Sequence, residues 1–127
     1  MRIAIVGSRN YQDLESVRRY INSLPDDAAI ISGAAPGVDQ AAEVAARARG
    51  LQTMIFPPDW DHQGRRAEQR WNRVIIKNAD LVAVFWDGQS LGTQSLIKLA
   101  QEMGKPLEIY IAGPLRDVAR NGAQRVG

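Results

Sequence analysis

The chain has 127 residues, a formal charge of +2, 45% hydrophobic and 24% charged residues, no cysteine and one histidine. That length suits one domain burying roughly two-thirds of its unfolded surface, and the balance of apolar and charged residues excludes a largely disordered chain. Disulfides, thiolate metal sites and cysteine nucleophiles are excluded, and His62 alone cannot anchor a multi-histidine zinc site.

No apolar run approaches the roughly 20 residues needed to cross a bilayer, and no signal-peptide pattern precedes the first apolar segment. The expectation is a cytoplasmic protein with no membrane partner. So small a net charge does not by itself call for nucleic acid, so local clustering of charge matters more.

In chain order, RIAIV (2–6) reads as a strand ended by Gly7, and Leu14, Val17, Ile21 and Leu24 recur at helical spacing over 13–24 before Pro25 and Asp26. AAIIS (28–32) predicts a second buried strand, and 38–49 an alanine-rich helix ending at Gly50. TMIF (53–56) predicts a third strand stopped by Pro57 and Pro58, followed by a helix over 65–78. LVAVF (81–85), a helix over 92–103 and LEIYI (107–111) complete the pattern. Residues 112–127 carry glycines and arginines, show weak periodicity and are read as a C-terminal tail that is free to move. Strands alternating with helices indicate an α/β fold: a Rossmann-like, three-layer domain over 1–111 with a mostly parallel sheet of about five or more strands.

In such a sheet the loops after the strands gather on one rim, where ligands bind. GSRNY, SGAAPGVD, PPDWDHQGRR and WDGQSLGT occupy those four positions. Gly33 to Gly37 join a strand to a helix start, where free N–H groups and the helix dipole favour an anion. The stretch matches neither GxGxxG nor the P-loop, since no Lys-Ser/Thr follows. Asp39, in the first turn of that helix, either compensates the dipole or binds a ribose hydroxyl or acts as an acid/base. Residues 87–93 repeat the arrangement with the hydroxyls of Ser90 and Thr93 and the amides of Gly92 and Thr93; Ser90 serves equally as an N-cap.

On the 65–78 helix, Arg66, Arg70, Arg73 and Lys77 fall in one stripe, and Ala67, Trp71, Val74 and Ile75 form the apolar face. The stripe is either a solvated face or a phosphate or nucleic-acid contact. Asn72 projects to another side, from which it could reach the rim.

GSR (7–9), SGAAPGVD (32–39), PPDW (57–60), RWNR (70–73), AD (79–80) and SLGT (90–93), in this order, resemble the SLOG superfamily, which includes DprA and the LOG phosphoribohydrolases. Within it the chain is most similar to the small DUF2493/YspA-like proteins, over about residues 1–111. The resemblance implies a nucleotide-type ligand on Gly7, Ser8 and Arg9, on Gly33, Ala34, Gly37 and Asp39, and on Ser90, Gly92 and Thr93. Arg70 and Asn72 join them, although Trp71 interrupts the Arg-Asn pair of the related proteins and leaves Arg70 and Arg73 as alternatives. It also implies a homo-oligomer. LOG enzymes carry a glutamate in GGxGTxxE where this chain has Leu96.

Three functions follow. The first is binding or sensing of a nucleotide in the class of ADP-ribose or NAD derivatives, with Arg9 and the loop amides on phosphates, Asp39 on a sugar hydroxyl, and Trp60 or Trp86 either stacked on a base or packed in the core. The second is an N-ribohydrolase with Asp39, Asp59, Asp61 or Asp87 as the working carboxylate, or turn-forming residues only; His62 is the one alternative acid/base. The third is DprA-like binding of a single-stranded nucleic acid by Arg66, Arg70, Arg73 and Lys77. No protein metal site is expected, while a bound polyphosphate would bring Mg²⁺ with it.

Overall fold

The computed structural model describes the backbone of residues 1–33, 37–56, 64–111 and 124–126, and among these the side chains of all but 64–69, 71 and 124–126. The elements are β1 (Arg2–Gly7), α1 (Leu14–Asn22), β2 (Ala29–Ser32), α2 (Val38–Ala48), β3 (Gln52–Ile55), α3 (Gly64–Asn78), β4 (Leu81–Trp86), α4 (Leu91–Glu102), β5 (Leu107–Ile111) and β6 (Gln124–Val126). The sheet order is β3-β2-β1-β4-β5-β6. The first five strands are parallel and β6 is antiparallel to β5.

β1 is apolar from Ile3 to Val6 because both of its faces are covered there. Ile3 and Ile5 point to the α1/α2 layer, where they join Val17, Ile21, Ala42, Ala46 and Phe85. Ala4 and Val6, one residue out of phase, join Ile75, Ile76, Ala79, Leu96, Ile97 and Ala100 of α3 and α4. The alanines of α2 let that helix lie close on the sheet. Arg49, beyond its end, donates to the Ile21 and Leu24 carbonyls at 2.8 Å each and to Asp26 at 2.7 Å, placing a cation at the carbonyl end of α1.

Two expectations need correction. Val74 is 40% exposed, and the described buried apolar residues of α3 are Ile75 and Ile76, with Ala79 just past its end. The helix is turned slightly from the predicted face because Ile76 and Ala79 reach the sheet beside Ile75. The stretch read as a tail supplies β6, with Gln124, Arg125 and Val126 opposite Ile109, Glu108 and Leu107. Three residues are too few to show a strand period. Among the described residues no helix is long and apolar enough to cross a membrane.

Candidate functional site at the β1/β4 crevice

The chain leaves β1 for β2 through α1 on one face and reaches β4 through α3 on the other. Strand order therefore reverses between β1 and β4, and the loops after these strands diverge to leave a crevice. One wall is Ser8 and Arg9. The other is Asp87 to Thr93.

The walls are tied together at their base. Ser8 is buried; its hydroxyl accepts the Asp87 N–H at 3.2 Å and bonds the Thr93 hydroxyl at 3.1 Å. The Thr93 hydroxyl donates to Ser90 Oγ at 3.2 Å, and Ser90 Oγ also accepts the Thr93 N–H at 3.3 Å, which makes Ser90 the N-cap of α4. Behind Ser8, the Tyr11 N–H donates to the Ser8 carbonyl at 3.1 Å, and the Tyr11 ring meets Phe85 edge-on at 5.7 Å. Tyr11 thus fixes the loop that carries Arg9.

Asp87 shapes the second wall. Its Oδ1 accepts the N–H groups of Gln89 at 2.9 Å and Ser90 at 2.8 Å. These bonds, Gln89 foremost, hold the carboxyl below the ordinary aspartate value of 3.8. The loop so formed delivers the chain to Leu91 and Gly92, whose N–H groups precede the first intrahelical acceptors and bond no described acceptor. Arg9 is exposed on the opposite wall and forms no ion pair among the described residues.

The β2–α2 loop approaches from the side. Gly37, the N-cap of α2, has φ 86°, and a Cβ there would stand 3.0 Å from the Arg9 carbonyl oxygen. Glycine is required for both reasons. Asp39 is buried, and its Oδ2 accepts the Gly33 N–H at 3.2 Å, bracing the loop against the helix.

The structure thus joins Ser8, Ser90 and Thr93 directly and sets Arg9 and Gly37 beside them. Arg70 and Asn72 lie six and eight residues into α3 and make no hydrogen bond to the crevice among the described residues. Trp86 is half-buried against the α3/α4 core, and its indole N–H donates to the Ser90 carbonyl at 3.1 Å, bracing the α4 start. Leu96 is buried in that same core. Ala34, Asp59, Trp60, Asp61 and His62, and the side chains of Arg66, Ala67 and Trp71, lie outside the described residues. Sequence reading missed the Ser8–Thr93 bond, which joins residues 85 positions apart without any local pattern. Among the described residues no group of three or more His, Asp or Glu is placed to hold a metal ion.

Residues 1–62 match the model of the YAcAr family, described as the YspA, cpYpsA-related SLOG family. That stretch is similar to the SLOG family. The SLOG match takes in the Ser8–Arg9 wall and the Gly33–Asp39 loop, while the Asp87–Thr93 wall lies beyond it. No curated protein sequence matches the chain. Among solved structures it is similar to DNA processing protein A (DprA) of Streptococcus pneumoniae, with a TM-score of 0.78 and 22% identity over 94% of this chain and 53% of that one. It is also similar to the DNA processing protein A of Helicobacter pylori, whose structure is described by its single-stranded DNA binding mode. That match has a TM-score of 0.67 and 22% identity over 91% of this chain and 66% of that one. The chain therefore spans about half the length of the first and about two-thirds of the second, and shares their Rossmann-like fold.

Proposed function

We propose that the β1/β4 crevice binds the phosphate of a nucleotide-type ligand, in the class of ADP-ribose or NAD derivatives, without turning it over. The observation that carries this reading is the pairing of two complementary walls: Arg9, exposed and without an ion pair among the described residues, on one, and the N–H groups of Leu91 and Gly92 at a helix start on the other. The SLOG match over the first wall supports it. Binding without hydrolysis is supported by Leu96, buried where the LOG pattern has glutamate, and by Asp39 and Asp87, whose carboxylates already accept loop N–H groups.

The test is thermal unfolding with AMP, ADP, ADP-ribose and NAD, followed by chromatography of each mixture. A ligand at about 100 times its Kd adds roughly 2.7 kcal/mol of stability. Arg9→Gln is expected to weaken Kd about 10- to 100-fold, the range for one charge-assisted hydrogen bond. Absence of a shift with all four ligands overturns the reading, and released base converts it to catalysis.

A second reading has a specific observation behind it. A single strand of nucleic acid offers the same phosphates, and the H. pylori protein that shares this fold is described by its single-stranded DNA binding. In this reading the crevice holds one phosphate of a strand, and dT20 takes the place of the nucleotides in the same assay.

A further inference from the structure

The two helical layers differ in how their charges are used. Every ion pair among the described residues lies on the α1/α2 side: Arg18 with Glu15, Arg19 with Asp13, Arg47 with Glu43 and Arg49 with Asp26. On the α3/α4 side, Arg70, Arg73 and Lys77 of α3 and Lys98 of α4 are exposed and have no described anionic partner. Lys105 adds a charge at the foot of the stripe, its ammonium donating to the Ala79 carbonyl at 2.8 Å and the Lys77 carbonyl at 3.4 Å. The described anions of this side are Asp80, which accepts the Arg2 N–H at 2.8 Å, and Glu102 in the last turn of α4. A net charge near zero over the whole chain thus conceals one neutralised layer and one cationic layer.

Positions 70, 73 and 77 share one helical stripe, which rises about 10 Å over seven residues. Three cations in line along that length can face successive phosphates of one backbone. The stripe is one side chain wide, whereas a duplex presents two backbones across a major groove about 12 Å wide.

We infer that the Arg70–Arg73–Lys77 stripe of α3, ending at Lys105, is a docking surface for the sugar–phosphate backbone of a single-stranded nucleic acid. The inference takes its partner class from the second reading above and assigns that partner a surface outside the crevice. α3 starts at the rim and runs down the side of the sheet, so a strand on the stripe leads away from the Ser8–Arg9 wall.

The experiment is fluorescence anisotropy of labelled dT20 with the full chain across a salt series, comparing wild type, Arg70→Gln/Arg73→Gln/Lys77→Gln and Arg9→Gln. All three substituted positions of the triple variant are exposed, and circular dichroism checks that it folds. Three lost phosphate contacts make the slope of log K against log salt shallower by about 2, at roughly 0.7 per contact for a single strand. Arg9→Gln, which removes one contact in the crevice, changes the slope by less than 1. An unchanged slope in the triple variant overturns the surface while leaving the crevice reading intact. Failure of wild type to bind dT20 overturns the strand reading and this inference together, without touching the nucleotide reading. Equal affinity for a duplex of the same length overturns the assignment to a single strand.

Discussion

A methyl group on Gly7 would overlap the Phe85 carbonyl oxygen and stand 2.8 Å from Val38 Cγ2. The first is a backbone atom of the neighbouring strand and cannot turn aside. Gly7→Ala is therefore expected to cost about 1–3 kcal/mol, read from urea unfolding. Gly37→Ala meets both a positive φ and the Arg9 carbonyl, and its expected cost is about 1–2 kcal/mol. From the sequence these glycines could be read only as chain turns or as room for a phosphate, because the atoms that exclude a side chain come from elsewhere in the chain. Ser8 is the polar counterpart. Ser8→Ala leaves the Asp87 N–H without its acceptor and the Thr93 hydroxyl with Ser90 Oγ as its one described partner, at about 1–3 kcal/mol. A double-mutant cycle with Thr93→Val is expected to return a coupling of about 0.5–3 kcal/mol, and additive losses would mean that the hydroxyl contact contributes nothing.

The loop from Asp87 to Ser90 is the element on which the second wall depends. Because its hydrogen bonds hold the Asp87 carboxyl below 3.8, they add stability at and above that pH, and the contribution disappears as pH falls through the lowered folded value. Asp87→Asn is expected to flatten the acid limb of the unfolding midpoint measured between about pH 5 and 2. An acid limb identical to wild type would show that the bonds are replaced by water. Elements of this kind were legible in advance. Gly50, Pro57 and Gly104 mark where helices and strands stop, and the helical spacing of Leu14, Val17, Ile21 and Leu24 and the alanine-rich run before Gly50 mark α1 and α2 to within two residues. Val74 was misread because apolar character alone does not say how far a helix face is turned. β6 went unread because its regularity comes from β5, not from its own residues.

At the scale of the whole molecule, β6 closes one end of the sheet. Deleting residues 124–127 exposes the backbone edge of β5 at Leu107–Ile109, and the expected result is a loss of about 1–3 kcal/mol with self-association on size-exclusion chromatography. A monomer of unchanged stability would show that β6 does not protect the edge. The rim as a meeting place for loops was also legible, since it follows from the βα alternation. The division of charge between the two helical layers was not: the spacings of Glu15 to Arg18 and Glu43 to Arg47 are local, but Asp26 finds Arg49 only in the fold, and which helices share a layer is set by the sheet.

The position of β1 in the middle of the sheet also orders events in time. Its Ile3–Gly7 stretch pairs with Leu81–Phe85, and Ser8 bonds a threonine 85 positions later. At ribosomal speeds of 5–20 residues per second, β1 waits roughly 4–15 s for that second neighbour. Over that interval Ala4 and Val6 lack Ile75, Ile76 and Leu96, so the nascent chain presents a sticky half-sheet to whatever chaperone meets it. The crevice is then completed only when Thr93 has been made, long after its first wall.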